Sequence, residues 1–264
     1  MASPPTPVHR GQWRDVRAVF SDVDGTLTTE GRLRASTLGA LERLRTAGVR
    51  VVLVTGRPSG WGECWARNLP VDGVIAENGG LYFTRRRGRW VKVFAQGLAQ
   101  RRRARQALLR NVERVLQTVR GARLSMDSVA TEVDIAFDLA EGAPVAAGVA
   151  DQIERLMRAR GATAVRSSVH INCWMGEFDK LHTARAFVRR EWGLSFPRAQ
   201  RHFVFVGDSY NDAPMFEGFT RSVGVANVRR VLAELPVPPA WITRQSEGAG
   251  FEELVRAVLR GRRA

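Results

Sequence analysis

The chain has 264 residues, 44% of them hydrophobic, and its 41 Lys and Arg residues against 26 acids give a formal net charge of +15. This length and apolar content exclude a disordered chain and permit one large domain or two modest ones. No apolar run approaches the roughly 20 residues of a membrane-spanning helix. Residues 1–13 have Pro and polar residues where a signal peptide needs an apolar stretch, which predicts a flexible tail on a cytoplasmic protein.

The positive charge is concentrated in one segment. Residues 85–123 hold thirteen basic residues and one acid, Glu113. Either this segment attracts anionic substrates, or it forms a helix with one packed apolar stripe and a solvated charged face. A nucleic-acid interface would place aromatic residues among the arginines, whereas Phe94 is the only aromatic residue between 91 and 123. Nucleic acid is therefore not the expected partner.

Short apolar runs alternate with helical patterns at both ends of the chain, as in parallel strands joined by crossover helices. The N-terminal block predicts strands over 16–21, 50–54 and 74–76 and a helix over 35–47. The C-terminal block predicts a helix over 179–192, strands over 202–206 and 222–225, and helices beginning near 211 and 247. The fold class is therefore α/β, with a Rossmann-like parallel sheet.

The middle of the chain breaks this alternation. Its patterns predict a hairpin around Arg87-Gly88, an arginine-rich helix near 97–119, a strand over 132–138, a helix near 144–160 and two strands within 163–174. Such a mixture makes an α+β unit. The sequence therefore predicts a core of residues 14–80 and 177–264, which carries an inserted α+β cap of residues 81–176.

Polar clusters follow three of the predicted core strands. They are Asp22-Val23-Asp24 after the first strand, Thr55-Gly56-Arg57 after the second, and Gly207 to Asp212 after the strand at 202–206. Ligands bind at the carboxyl ends of parallel strands, so these clusters are expected to converge. The carboxylates of Asp22 and Asp24 repel each other unless a cation or a proton lies between them.

These motifs resemble those of the haloacid dehalogenase-like phosphatases, and the resemblance covers nearly the whole chain. DVDGT at 22–26 looks like the first motif of that family, Thr55 the second, Lys180 the third and GDSYND at 207–212 the fourth. A cap between the second and third motifs is similar to the subfamily of sucrose-phosphate, mannosylphosphoglycerate and Cof-type sugar phosphatases and eukaryotic phosphomannomutase.

The resemblance implies a role for each residue of the first two motifs. Asp22 would be the nucleophile and form an aspartyl-phosphate, and Asp24 would be the general acid and then the general base. Thr55 would donate a hydrogen bond to a phosphoryl oxygen. Gly56 and Arg57 would contact the substrate, with Arg57 able to reach a second anionic group.

The resemblance also implies a divalent cation, which would offset the repulsion between a carboxylate nucleophile and a phosphate dianion. Asp22, the carbonyl of Asp24 and Asp208 would hold it, while Asn211 and Asp212 would hold its waters or position the motif lysine. Oxygen ligands that leave room for water favour Mg²⁺.

Arginine fills 39 of the 41 basic positions, so the two lysines, Lys92 and Lys180, stand against a strong bias. The compact ammonium of Lys180 can lie beside phosphoryl oxygens and the Asp22 carboxylate at once, where a planar guanidinium would not fit. Lys92 is expected to be a surface charge.

The cap supplies candidates for binding the leaving group. Strand alternation puts His170, Asn172 and Trp174 on one face, where an amide and an indole would suit a polyhydroxylated ligand. An ordinary solvent-facing strand edge fits the same alternation equally well. Asn78, which follows the third core strand, is a further candidate.

Together these features predict a Mg²⁺-dependent phosphatase that hydrolyses a phosphomonoester of a small metabolite, such as a sugar phosphate or a glycosyl-phosphoglycerate. A phosphomutase of the same fold is one alternative. A nucleic-acid-binding protein that uses the arginine-rich cap is an alternative from another class. The sequence leaves the substrate, the oligomeric state and the resting position of the cap open.

Overall fold

The computed structural model describes residues 5–140, 144–146, 148–167 and 169–262. The helices are α1 Ala35–Thr46, α2 Ser59–Asn68, α3 Leu98–Thr118, α4 Val149–Ala159, α5 Lys180–Trp192, α6 Phe196–Ala199, α7 Ala213–Gly218 and α8 Glu247–Gly261. The strands are β1 Thr6–Pro7, β2 Ala18–Ser21, β3 Thr28–Thr29, β4 Arg32–Leu33, β5 Arg50–Val54, β6 Gly73–Ala76, β7 Leu81–Arg86, β8 Arg89–Phe94, β9 Asp134–Asp138, β10 Thr163–Arg166, β11 His170–Trp174, β12 Phe203–Gly207, β13 Ser222–Gly224 and β14 Trp241–Ile242.

The larger sheet has nine strands among the described residues, in the order β1-β14-β13-β12-β2-β5-β6-β7-β8. The first seven strands in this order pair in parallel with their neighbours. The last two, β7 and β8, are antiparallel and form one edge of the sheet. Helices α1 and α8 pack on one face of the sheet, and α5 and α7 pack on the other. The predicted α/β fold is confirmed, and its central strands are continuous apolar runs because both faces are covered.

The cap contains a three-stranded antiparallel sheet in the order β10-β11-β9. Helices α3 and α4 pack on it through a separate apolar core. In the arginine-rich helix α3, Leu108, Val112 and Val115 are buried in this core, whereas Leu109 and Leu116 are exposed. The apolar stripe of α3 is therefore narrower than the sequence predicts. No helix in the described part of the chain is long and apolar enough to cross a membrane.

The hairpin β7–β8 lies on the core sheet, which differs from its predicted place in the cap. Strand β7 pairs with β6, and its side chains Leu81 and Phe83 are buried in the core among residues that include Ala66 and Ala76. Tyr82, between them, is buried in the apolar cluster on the other face of the sheet. The start of β7 is therefore an apolar run that needs cover on both faces. The cap fold thus begins with α3.

The segment before β2 is also more ordered than the predicted tail. Strand β1 pairs in parallel with β14, and Val8 and Trp13 are buried. The indole Nε1 of Trp13 donates a hydrogen bond of 2.9 Å to the carbonyl oxygen of Val8, and its ring meets Trp241 edge-on. Residues 5–13 are therefore part of the core, and residues 1–4 of the predicted tail lie outside the described residues.

We expect Trp13→Ala to lower the free energy of unfolding by about 3–5 kcal/mol, because it empties a buried aromatic site. Trp61, which is 46% exposed, offers a matched control, and Trp61→Ala should change stability by about 0.5 kcal/mol or less. Urea unfolding followed by circular dichroism compares the two variants. Equal stability losses would contradict the assignment of the N-terminal segment to the core.

Candidate active site

The predicted polar clusters converge at one edge of the core sheet. Strands β12, β2, β5 and β6 are adjacent and parallel, so the residues that follow them meet at their carboxyl ends. A cavity between this edge and the cap has a volume of about 40 Å³. Its lining includes the predicted site residues Asp22, Asp24, Gly56, Arg57, His170, Asn172 and Asn211.

Lys180 is the cation at the centre of this edge. Its side chain is 2% exposed, and Nζ lies 3.0 Å from Oδ1 of Asp22 and 2.7 Å from Oδ1 of Asp212. A third acceptor, Oδ1 of Asn211, lies at 3.3 Å. Burial lowers the pKa of Lys180, but the charges of Asp212 and Asp22 outweigh this effect, so that its pKa is raised overall. Lys180 is therefore an ammonium with all three N–H donors directed at acceptors.

Asp22 is a buried acid beside Lys180. Its main-chain N–H donates to the carbonyl of Val206 on the neighbouring strand, which fixes it against β12. Burial and the nearby charge of Asp212 raise the pKa of Asp22 well above its ordinary value, although Lys180 opposes them. The carboxylate therefore lies in a low-dielectric site where a second cation would stabilise its charged form.

Asp208 is held beside Asp22 by neutral donors. Thr26 donates from Oγ1 to its Oδ1 at 3.3 Å, and Asn227 donates from Nδ2 to its Oδ2 at 2.8 Å. Gly25 has a φ of +78°, and a Cβ there would lie 2.6 Å from Oδ2 of Asp208. Glycine is thus required in this turn for two reasons, its conformation and the close approach of Asp208.

Asp212 organises the loop after β12. Its Oδ2 accepts the main-chain N–H groups of Asp208 and Ser209 at 3.1 and 3.3 Å, while its Oδ1 binds Lys180. Both oxygens therefore have protein partners. This agrees with the predicted role of Asp212 in positioning Lys180.

The donor set fits a magnesium ion. Carboxylate oxygens of Asp22, Asp208 and Asp212 all lie within 4.8 Å of one another. Three carboxylates face one ammonium, so the cluster has an excess of negative charge that burial makes costly. Hard oxygen donors with excess negative charge are typical of Mg²⁺ sites. Asp22 and Asp208 are the side chains best placed to hold the ion, since Lys180 and the loop occupy Asp212.

The carboxylate of Asp24 points away from this cluster and pairs with Arg57. Nε and Nη2 of Arg57 lie 2.9 and 3.0 Å from the two carboxylate oxygens. Nη1 of the same guanidinium lies 3.4 Å from Asp127 of the cap. Arg57 therefore joins the core to the cap across the cavity, a contact that its predicted role in substrate binding did not include.

Thr55, Gly56 and Asn78 follow β5 and β6 at the same edge of the sheet. Thr55 is buried, and its Oγ1 accepts the main-chain N–H of Arg57 at 3.0 Å. A Cβ on Gly56 would lie 3.0 Å from the Asn78 amide oxygen and 3.4 Å from Nδ2 of Asn172. A side chain at position 56 would therefore be crowded by the amides of Asn78 in the core and Asn172 in the cap.

The cap strand β11 follows the predicted alternation. Ile171 and Cys173 are in the apolar core of the cap, while His170 and Asn172 line the cavity. Trp174 does not join them there. Its Nε1 donates to the carbonyl of Phe178 at 2.9 Å, and its ring stacks on the Phe178 ring. Trp174 therefore packs against Phe178, in the segment that joins β11 to α5, and lies outside the cavity that Asp22 lines.

Three acids at the core–cap junction were absent from the sequence prediction. They are Glu77, Asp127 and Asp134. The carboxylate of Glu77 accepts main-chain N–H groups of Ser59 in the core and of Glu132, Val133 and Asp134 in the cap. The alternation of the predicted strand over 132–138 already places Asp134 on the face opposite Ile135 and Phe137, and this signal could have identified Asp134.

The comparisons with known proteins agree with this arrangement. A family profile described as haloacid dehalogenase-like hydrolase matches residues 19–98. The chain is 29% identical over 244 residues to a protein of Methanosarcina mazei named phosphoglycolate phosphatase, which covers 90% of this chain and 95% of the relative. A protein of the same name from Methanoculleus marisnigri is 29% identical over 252 residues, covering 91% and 96%.

Two solved structures share the fold. The structure of Thermoplasma acidophilum 0175 aligns with a TM-score of 0.72 and 19% identity, covering 92% of this chain and 98% of that one. The sucrose-phosphatase of Synechocystis sp. PCC6803, in complex with sucrose and phosphate, aligns with a TM-score of 0.64 and 16% identity, covering 93% and 98%. The core and its inserted cap are therefore a known architecture.

The metal-free protein should become less stable as Asp208 ionises. Burial, with the charge of Asp212, raises the pKa of Asp208 from 3.8 to about 7. The stability that its protonation contributes is fully present below pH 3.8 and is lost as the pH rises through 7. Asp208→Asn removes this dependence, so its stability relative to wild type should increase by about 2 kcal/mol between pH 5 and 8. Urea unfolding in EDTA measures the difference, and a constant difference would contradict the assignment.

Proposed function

We propose that the chain is a haloacid dehalogenase-like phosphatase of small phosphorylated metabolites, which works through an aspartyl-phosphate on Asp22 with Mg²⁺. One observation carries this proposal: the buried Asp22 carboxylate lies 3.0 Å from the Lys180 ammonium and beside Asp208. The Lys180 ammonium thus balances the negative charge on one side of the Asp22 carboxylate. The other side is available to a metal and a phosphoryl group.

In the first step, an oxygen of Asp22 attacks phosphorus and the ester P–O bond breaks. The leaving alkoxide takes a proton from Asp24. In the second step, water gives a proton to Asp24 and attacks the same phosphorus, so the P–O bond to Asp22 breaks and inorganic phosphate is released. Lys180 and Thr55 stabilise the charge on the phosphoryl oxygens.

Mg²⁺, when bound, supplies the positive charge that lets an anionic carboxylate approach an anionic phosphate. Asp22 and Asp208 would hold it with the Asp24 carbonyl. Asn211 would contact its waters. Lys180 alone provides one positive charge against the three carboxylates of the cluster, which supports the requirement for a divalent cation.

Proton transfer by Asp24 requires its pair with Arg57 to open. The guanidinium of Arg57 lies on the cavity lining and already reaches an acid of the cap, Asp127. An anionic group on the leaving alcohol would compete for Arg57 and free Asp24. This coupling supports a substrate that carries an acidic group besides its phosphate.

Phosphoglycolate is the first candidate substrate. The relatives that match most of the chain carry the name phosphoglycolate phosphatase. The cavity of about 40 Å³ has room for on the order of three water molecules, which suits a two-carbon leaving group better than a disaccharide. Sugar phosphates are the second candidate, because His170 and Asn172 offer polar groups from the cap and the fold is shared with sucrose-phosphatase.

Asp22→Asn should reduce turnover of phosphoglycolate on the order of a thousandfold or more, because it removes the attacking carboxylate. Phosphate release is measured with Mg²⁺ against phosphoglycolate and a panel of sugar phosphates. EDTA should abolish wild-type activity, and Mg²⁺ should restore it. Asp151→Asn, which changes an exposed acid, should keep full activity. Comparable turnover by Asp22→Asn and wild type would refute the assigned nucleophile.

Lys180→Arg should fold normally yet lose about a hundredfold in kcat, since the guanidinium does not fit between the Asp22 and Asp212 carboxylates in a productive position. The control is Lys92→Arg, because Lys92 forms an ion pair with Glu132 at the surface. Thermal unfolding checks the fold of both variants. Near-normal turnover by Lys180→Arg would show that charge alone is needed.

A further inference from the structure

Asp134 is a buried acid in the cavity wall that has no role in the chemistry above. It is the first residue of β9, is 1% exposed and lies opposite Trp174 on β11. Asp134 is one of the residues that line the cavity, together with Asp22 and Asn172. Asp134 therefore borders the same cavity as the proposed nucleophile, on the cap side.

The two oxygens of Asp134 differ in their partners. Oδ2 accepts a hydrogen bond of 2.9 Å from Nδ2 of Asn78. Oδ1 is buried and has no hydrogen-bond partner within the described ranges. A buried polar atom without a partner is costly and is rare in folded proteins. Because Asp134 lines the cavity, a ligand bound in the cavity is the candidate partner for this oxygen.

The groups around Asp134 decide which form of the carboxyl is present. Glu77 contacts its main-chain N–H and accepts three further main-chain N–H groups, so Glu77 is the better site for a negative charge. Asp134 has one side-chain donor only. Arg105 is close, but its Nη1 donates to the Asp134 carbonyl oxygen and to Thr131.

Glu77 and Asp134 are both buried, and a negative charge on one makes a charge on the other less favourable. Burial and the charge of Glu77 raise the pKa of Asp134 well above its ordinary value. The other charged or titratable groups near it are Arg105 on α3, Asp127 in the turn before β9, and His170 and Cys173 on β11. Asp22, Asp24 and Arg57 of the core line the same cavity. Arg105 lowers the pKa of Asp134 and Asp127 raises it, and the overall direction favours the protonated form.

We propose that Asp134 binds the leaving group of the substrate by donating a hydrogen bond from its protonated Oδ1 to a carboxylate oxygen. This inference rests on the proposed phosphatase function and names the part of the site that distinguishes a phosphorylated hydroxy acid from a phosphorylated neutral alcohol. Arg57 contacts the same acidic group from the core side, so the carboxylate is held between a cation and a neutral donor.

Phosphoglycolate and ethyl phosphate test the proposal, because both have two carbons and only the first has a carboxylate. Asp134→Ala should raise KM for phosphoglycolate about tenfold or more and leave KM for ethyl phosphate nearly unchanged. Asp134→Asn keeps a neutral donor of the same shape, so it should stay within about threefold of wild type on both substrates.

The pH profile gives a second measurement, which does not need the Ala variant to fold. KM of the wild type for phosphoglycolate should rise with pH as Asp134 ionises, and Asp134→Asn should lack this rise. The proposal is overturned if Asp134→Asn is as impaired as Asp134→Ala, or if both substrates are affected equally. Wild type that hydrolyses ethyl phosphate as well as phosphoglycolate also overturns it, as does wild type that hydrolyses sugar phosphates but not phosphoglycolate. Hydrolysis of none of these phosphates would instead refute the proposed function.

Discussion

The structure depends on one buried electrostatic arrangement, the Lys180 ammonium between the carboxylates of Asp22 and Asp212. Each of these charges alone would be expensive to bury, and they are stable only as a set. The arrangement also connects distant parts of the chain, since the three residues belong to the loop after β2, the start of α5 and the loop after β12. Asp22, the proposed nucleophile, is positioned by the same contacts that hold the core loops together.

A second set of contacts fixes the cap to this core. Glu77 and Asn78 both adopt positive φ values, of +48° and +52°, which are costly for residues other than glycine. The strained turn directs the Glu77 carboxylate at the main chain of 132–134 and the Asn78 amide at Asp134. Arg57 and Asp127 add an ion pair on the opposite side of the cavity. The cavity is therefore small because the core and cap meet through specific polar contacts.

Much of the fold was predictable from local patterns. The alternation of apolar runs gave the parallel core, and the cap elements from α3 to β11 match their predicted order. The N-terminal segment and the hairpin β7–β8 were placed wrongly, for a common reason. Local patterns do not say which strand a segment pairs with, and only the pairing of β1 with β14 and of β7 with β6 reveals that Val8 and Phe83 belong to the core.

The sequence alone determined the residue types and the strand ends that form the candidate active site, because the residues that follow parallel strands lie at one edge of a sheet. It also predicted that His170 and Asn172 share a face. Only the tertiary structure decided which partner each polar group takes: Arg57 for Asp24, Phe178 for Trp174, and Glu77 for the cap backbone. These choices depend on contacts between residues far apart in the chain, which spacing and periodicity do not encode.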